Sequence, residues 1–187
     1  MLAEGACCVE TGWPKIDEAT LAQRCEELRP RALKFAAGMV PDDARAEELL
    51  QEAFLRMAAA RGRYAPDVQS VRRYLFRVLA NLCLDELRRS KLGSQALSAA
   101  EPLVRARLDG RQTAPAAELE RRERVRAVQG AIGKLPAAER AALLLRELDG
   151  QSYAQIAEAL ATSVSNVTNL IHRARNRFAE LMRPWME

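Results

Sequence analysis

The sequence is poor in the groups that carry most enzymatic chemistry. It holds a single histidine, His172, and four cysteines at positions 7, 8, 25 and 83 that form no CxxC pair. Neither fits the ligand spacing of a zinc site, and reduced thiols are the default for such a pattern. A glycine-rich phosphate loop and a nucleophile–base constellation are also missing, which argues against an enzyme. Aromatic residues are scarce. No sustained period-two run of Val, Ile and Thr occurs, and no apolar stretch approaches the ~20 residues of a membrane span. A signal-peptide pattern is lacking too. The expectation is a cytoplasmic protein without membrane insertion, catalytic residue, metal or cofactor.

What the sequence has in quantity is Ala, Leu, Arg and Glu, all strong helix formers. An all-α fold follows from composition alone. The net charge of +4 is modest, and its distribution carries more information than its sum. Residues 42–52 (DDARAEELLQE) are acidic, whereas residues 72–91 and 172–183 are basic. Residues 1–20 form a lead-in tail of no clear periodicity. Its Cys7-Cys8 pair has two open readings, a redox or metal sensor and a pair of incidental thiols.

Apolar spacing predicts the helices. One runs from about Ala19 to Met39, with Leu28, Ala32, Phe35 and Met39 on one face and a break or kink expected at Pro30. Pro41-Asp42-Asp43 opens the next, where Ala46, Leu49, Leu50, Ala53, Phe54 and Met57 form one stripe. Residues 62–70 (GRYAPDVQS) read as a loop. A long helix follows from Val71, with Tyr74, Leu75, Val78, Leu79 and Leu82 inward and Gly93 as its cap. From there the pattern dissolves into Ala, Ser, Pro and Gly, which reads as a linker. After it, Leu119, Val125, Val128 and Ile132 mark one helix, and Leu143, Leu144, Leu145 and Leu148 another. The organisation is two small helical domains joined by a flexible linker: tail 1–20, first domain 21–92, linker 93–117, second domain 118–187.

The stretch SYAQIAEALATSVSNVTNLIHRAR, from Ser152 to Arg175, reads as two short amphipathic helices. Tyr153, Ile156, Ala157 and Leu160 face inward on the first; Val164, Val167, Leu170, Ile171 and Ala174 do so on the second. Ala161-Thr162-Ser163 makes the turn. That is the spacing of a DNA-reading helix-turn-helix, and equally of a plain helical hairpin. On the first reading Ser163, Ser165, Asn166, Thr168 and Asn169 project toward base edges. His172, Arg173, Arg175 and Arg177 then supply charge for the phosphates. So little charge implies a weak grip, and so a larger partner on DNA. The acidic helix is either a solvated face or a docking face for a basic partner. The third helix offers Arg72, Arg73, Arg77, Asn81, Asp85, Arg88 and Arg89, with Tyr64, Tyr74 and Phe76 as stacking surfaces for nucleic acid. Ordinary helix-terminal charge explains the same arginines.

Taken in order, DDARAEELLQEAFLRM, VRRYLFRVLANLCLDELRR and LPAAERAALLLRELDGQSYAQIAEALATSVSNVTNLIHRARNRF resemble the extracytoplasmic-function sigma factors, the smallest members of the bacterial sigma-70 family. The resemblance covers residues 21–182. It implies that Glu47, Glu48, Gln51, Glu52, Phe54 and Arg56 dock on the β′ clamp helices of core RNA polymerase. It implies that Tyr64, Tyr74, Asn81, Arg88 and Arg89 capture the melted strand at the −10 element of promoter DNA. The C-terminal helix-turn-helix, with Ser163, Ser165, Asn166, Thr168, Asn169, His172, Arg173 and Arg175, would read the −35 element while binding the β flap. An anti-sigma factor is a further implied partner. The sequence departs from the family pattern at Ala161, where Gly is usual, at Tyr74, where Trp is frequent, and at Glu48, where Asp is typical. Thr168 and Asn169 stand within a segment that usually carries more Lys and Arg. The implied function is to direct polymerase to promoters and help melt them. The rival is a DNA-binding regulator that never touches polymerase.

Overall fold

The computed structural model describes residues 14–94 and 115–185. All regular structure among them is helical: α1 (Glu18–Met39), α2 (Asp43–Ala59), α3 (Val68–Ser94), α4 (Pro115–Lys134), α5 (Ala137–Glu147), α6 (Tyr153–Ala159), α7 (Val164–Met182) and a 3-10 turn (Arg183–Trp185). No described helix is long and apolar enough to cross a membrane. The tail with Cys7 and Cys8, and most of the expected linker, lie outside the described residues.

Local chemistry explains where these helices begin and end. Asp17 opens α1 by accepting the Thr20 amide at 2.8 Å, and Asp42 opens α2 by accepting that of Ala44 at 3.0 Å. Val40 is extended, as a residue before proline prefers, so α1 stops there. The break expected at Pro30 does not occur, and α1 runs through it as one element. Pro30 and Glu26 both face solvent, so water can satisfy the Glu26 carbonyl that loses its backbone donor. Helix α3 begins at Val68, earlier than the expected Val71, because Asp67 accepts the Ser70 amide at 2.9 Å. Nor does Gly93 cap that helix, which continues through it to Ser94.

Helices α1–α3 form an N-terminal unit around Phe35 and Phe76, whose rings meet edge to face at 5.7 Å. Helices α4–α7 form the C-terminal unit. The two units share one buried apolar cluster, which passes from Ile16 through Cys83 to Leu144, Ile156 and Ile171. Gly38 on α1 permits a close approach: a Cβ there would lie 2.9 Å from Leu144 Cδ1. Polar contacts cross the same seam. Arg140 donates to the Met39 carbonyl at 2.7 Å. The Arg72 guanidinium donates to the Asp149 carboxylate at 2.7 Å and also to its carbonyl. Asp149 is 2% exposed. Burial pushes its carboxyl above the ordinary range, against the opposing pull of Gln151 and Arg72.

Candidate nucleic-acid interface

The apolar stripe of α2 turns Ala46, Leu49, Leu50, Ala53 and Met57 into the core. Glu47, Glu48, Gln51 and Arg56 are exposed and Glu52 half-buried, whereas Phe54 packs against the cluster. Sequence reasoning missed Leu55, which is 71% exposed. It follows Glu48 by seven positions and Gln51 by four, so it stands amid the polar face. An apolar residue off the buried stripe was the available signal. Glu48 pairs with Arg45 at 2.7 Å and Glu52 with Arg56 at 2.5 Å, both within the helix. These exposed pairs leave the face acidic overall and open to a basic surface.

A second feature lies where α3 meets the C-terminal unit. A cleft of about 260 Å³ is lined by Arg63, Tyr64, Tyr74, Arg77, Gln155 and Glu158, among others. Tyr64 and Tyr74 stack with centroids 4.6 Å apart, and the Arg77 guanidinium lies 4.9 Å from the Tyr74 centroid. Tyr64 is buried, and its hydroxyl donates to the Met57 carbonyl at 3.0 Å. Desolvation raises its phenol to a pKa of about 12. In this arrangement Tyr64 offers no free face to a base. Phe76, expected as a stacking surface, is fully buried in the core. Arg72, expected at nucleic acid, is engaged by Asp149. Asn81, Arg88 and Arg89 are exposed on α3, with Arg88 paired to Asp85 at 2.8 Å.

Helices α6 and α7 form the expected helix-turn-helix. Ser152 and Gln155 make a reciprocal capping box on α6, and Ser163 accepts the Asn166 amide at 3.1 Å to start α7. Ala161 holds the turn with φ of 49°. A Cβ in that region costs about 1–2 kcal/mol, while glycine adds about 0.5–1 kcal/mol of unfolded-state freedom. Ala161→Gly is therefore expected to stabilise the protein by about 0.5–1 kcal/mol, read as a higher urea midpoint with an unchanged slope. A lower midpoint would contradict the strain.

Val167, Leu170, Ile171 and Ala174 bury one face of α7. Val164, expected inward, is instead 48% exposed, because it sits in the first turn at the margin of that stripe. The opposite face presents Ser165, Asn169, His172 and Asn176 at helical spacing, all exposed. Asn176 was not singled out from the sequence. Asn166 and Thr168 lie beside this row and are partly occupied. The Asn166 amide donates to Thr162 Oγ1 at 2.9 Å, and the Thr168 hydroxyl to the Val164 carbonyl at 3.1 Å. The arginines expected to reach phosphates free are tied back. Arg173 and Arg177 approach the two carboxylate oxygens of Glu139 at 3.1 and 3.4 Å, and Arg175 pairs with Glu147 at 2.8 Å. Glu139 is 5% exposed, so its charge requires these partners. The outward row is thus polar and lacks arginine and lysine, with guanidiniums on its flanks.

Two family models match this architecture in order. Sigma-70 region 2 matches residues 25–92, and Sigma-70, region 4 matches residues 126–178. The ECF RNA polymerase sigma factor SigM of Mycobacterium tuberculosis is 33% identical over 137 residues, covering 73% of this chain and 64% of that one. The probable ECF sigma factor SigI of the same species is 29% identical over 166 residues, covering 81% and 52%. SigM of Bacillus subtilis is 28% identical over 148 residues, covering 79% and 86%. The chain thus spans less than two thirds of the length of both mycobacterial relatives. The sigma factor RpoE of Bartonella quintana, solved in complex with the anti-sigma factor NepR, shares the fold with a TM-score of 0.70 at 21% identity; the match covers 87% of this chain and 96% of that one. With both region models placed on its two helical units and covering more than half of its length, the chain belongs to the extracytoplasmic-function group of the sigma-70 family.

Proposed function

We propose that the chain is a promoter-specificity subunit of bacterial RNA polymerase that directs core enzyme to a promoter set and assists melting. The observation that carries this reading is one chain bearing two separate exposed surfaces: the acidic, Leu55-centred face of α2 and the polar row of α7, which holds no arginine or lysine. The first suits the β′ clamp helices. The second suits the edges of −35 base pairs, read by hydrogen bonds from Ser165, Asn169 and Asn176. Its shortage of free cations is compensated by polymerase, which also meets this unit through the β flap. Tyr74, Asn81, Arg88 and Arg89 take the unpaired −10 strand, where stacking supplies about 1–3 kcal/mol per captured base.

The working domains are residues 21–92 and 118–187. The chain contributes no catalytic group and acts in the cytoplasm, where the template is. RpoE's complex with an anti-sigma factor supports an inhibitory protein partner for this chain as well.

In vitro transcription from genomic fragments, with purified core polymerase, tests the reading. Specific new start sites that require the chain are expected. Binding to DNA without binding to core, and no starts, would replace the reading with a DNA-binding regulator.

A further inference from the structure

Of the three arginines that flank the outward row of α7, two converge on one carboxylate. Arg173 Nε lies 3.1 Å from Glu139 Oε1, and Arg177 Nε lies 3.4 Å from Glu139 Oε2. Arg173 and Arg177 are four positions apart, so they stand one above the other along one edge of the helix. Arg173 also follows Asn169 of the row by four. A guanidinium one turn from a group that faces base edges has the neighbouring backbone phosphates as its natural partner. Glu139 instead draws both arginines toward the first turn of α5.

Burial decides how firmly each arginine is held. The Glu139 side chain is 6% exposed, against 54% for Glu147, the partner of Arg175. Water replaces an exposed partner at little cost, so the Arg175–Glu147 pair is a weak restraint. A buried carboxylate stripped of its cations is left as an uncompensated charge, which is strongly unfavourable. Glu139 Oε2 accepts no hydrogen bond, so that oxygen depends on the charge of Arg177. The carboxylate cancels one of the two positive charges, and its burial fixes where both guanidiniums sit.

We propose that Glu139 is a positioning residue of the DNA-reading unit, a buried anion that withholds Arg173 and Arg177 from the DNA backbone. This rests on the −35 assignment under Proposed function. Phosphate contacts add affinity for every duplex alike, whereas contacts to base edges discriminate. Glu139 suppresses the first and leaves Ser165, Asn169 and Asn176 to supply the second. A buried position of α5 thereby sets how strongly α7 grips DNA of any sequence, without touching DNA itself.

Full-length protein carrying Glu139→Gln, and separately Glu139→Met, tests the restraint. Gln keeps the shape and removes the charge. Met removes the polar group as well, which covers the case in which a buried amide is not tolerated. Binding to a fluorescein-labelled mixed-sequence DNA duplex is read by anisotropy, and circular dichroism melting checks the fold. Each folded variant is expected to bind the duplex about tenfold more tightly than the wild type. Adding Arg173→Gln and Arg177→Gln to the same variant should abolish the gain. The sign is diagnostic, because a merely structural role for Glu139 predicts looser packing and weaker binding. Unchanged or weaker binding by a variant that folds would overturn the restraint, as would a gain that survives loss of both arginines. Run-off transcription by the wild type with core polymerase separates the two ideas. Starts from the wild type with no gain in duplex affinity would sink only the role of Glu139. A gain that needs both arginines, with no starts from the wild type, would sink the promoter assignment and leave the restraint standing.

Discussion

A chain carrying Glu48→Lys together with Glu52→Lys is expected to fold as the wild type does and to lose at least about tenfold in affinity for core polymerase. The folding half of this expectation follows from exposure. The two carboxylates are 62% and 45% exposed, and each pairs only with an arginine of its own helix. Exposed pairs of this kind contribute about 0–1 kcal/mol. Arg45 also keeps its second partner, Glu86, at 2.6 Å. The binding half follows from placement. Both charges flank Leu55, the most exposed large apolar residue described, which suits a desolvated contact ringed by charge. Reversal puts like charges against a basic surface. A pull-down with purified core, checked by thermal melting, decides it. Unchanged affinity with unchanged melting would remove α2 from the interface.

Phe35→Ala is expected to destabilise the protein by about 3–5 kcal/mol, the cost of a ring lost from a packed core. Phe35 is fully buried and meets the edge of Phe76. Collapse around the void is opposed from both sides, since α1 packs on α2 and α3 and, beyond them, on α5. Against a total of about 5–15 kcal/mol, this is a large fraction. Because the buried cluster is continuous between the units, the loss should appear in one urea transition. A change below about 1 kcal/mol would mean the site repacks far better than interiors usually do.

The helices legible in the sequence were those whose stripes are complete. In α2 every stripe position is apolar and the start carries Asp42, so period and cap agree. Where one signal stood alone, the reading slipped. Pro30 marks a lost hydrogen bond, but nothing local says that the orphaned carbonyl faces water. Val164 fits the apolar period of α7, yet it lies in a first turn that the core does not reach. The outward row of α7 was legible in part, at Ser165, Asn169 and His172, because the buried stripe opposite it is regular. The ties that draw Arg173 and Arg177 to Glu139, and Arg175 to Glu147, were not. Nor was the seam between the units. Arg140 and Met39 are separated by 101 positions, and no periodicity connects them. Glu139 lies in the first turn of α5, and only tertiary packing makes it a buried charge.

Those tied-back arginines bear on how the protein would respond to ionic strength. Each DNA phosphate neutralised by a protein cation releases a condensed counterion, and log affinity falls against log salt with a slope of about 0.9 per phosphate. On α7 three guanidiniums already face two carboxylates, and the row between them carries no arginine or lysine. This helix has few counterions to release. Its preference among base pairs would therefore survive salt concentrations that strip a basic reading helix from the duplex. The salt sensitivity of the bound assembly would belong to the polymerase that carries it.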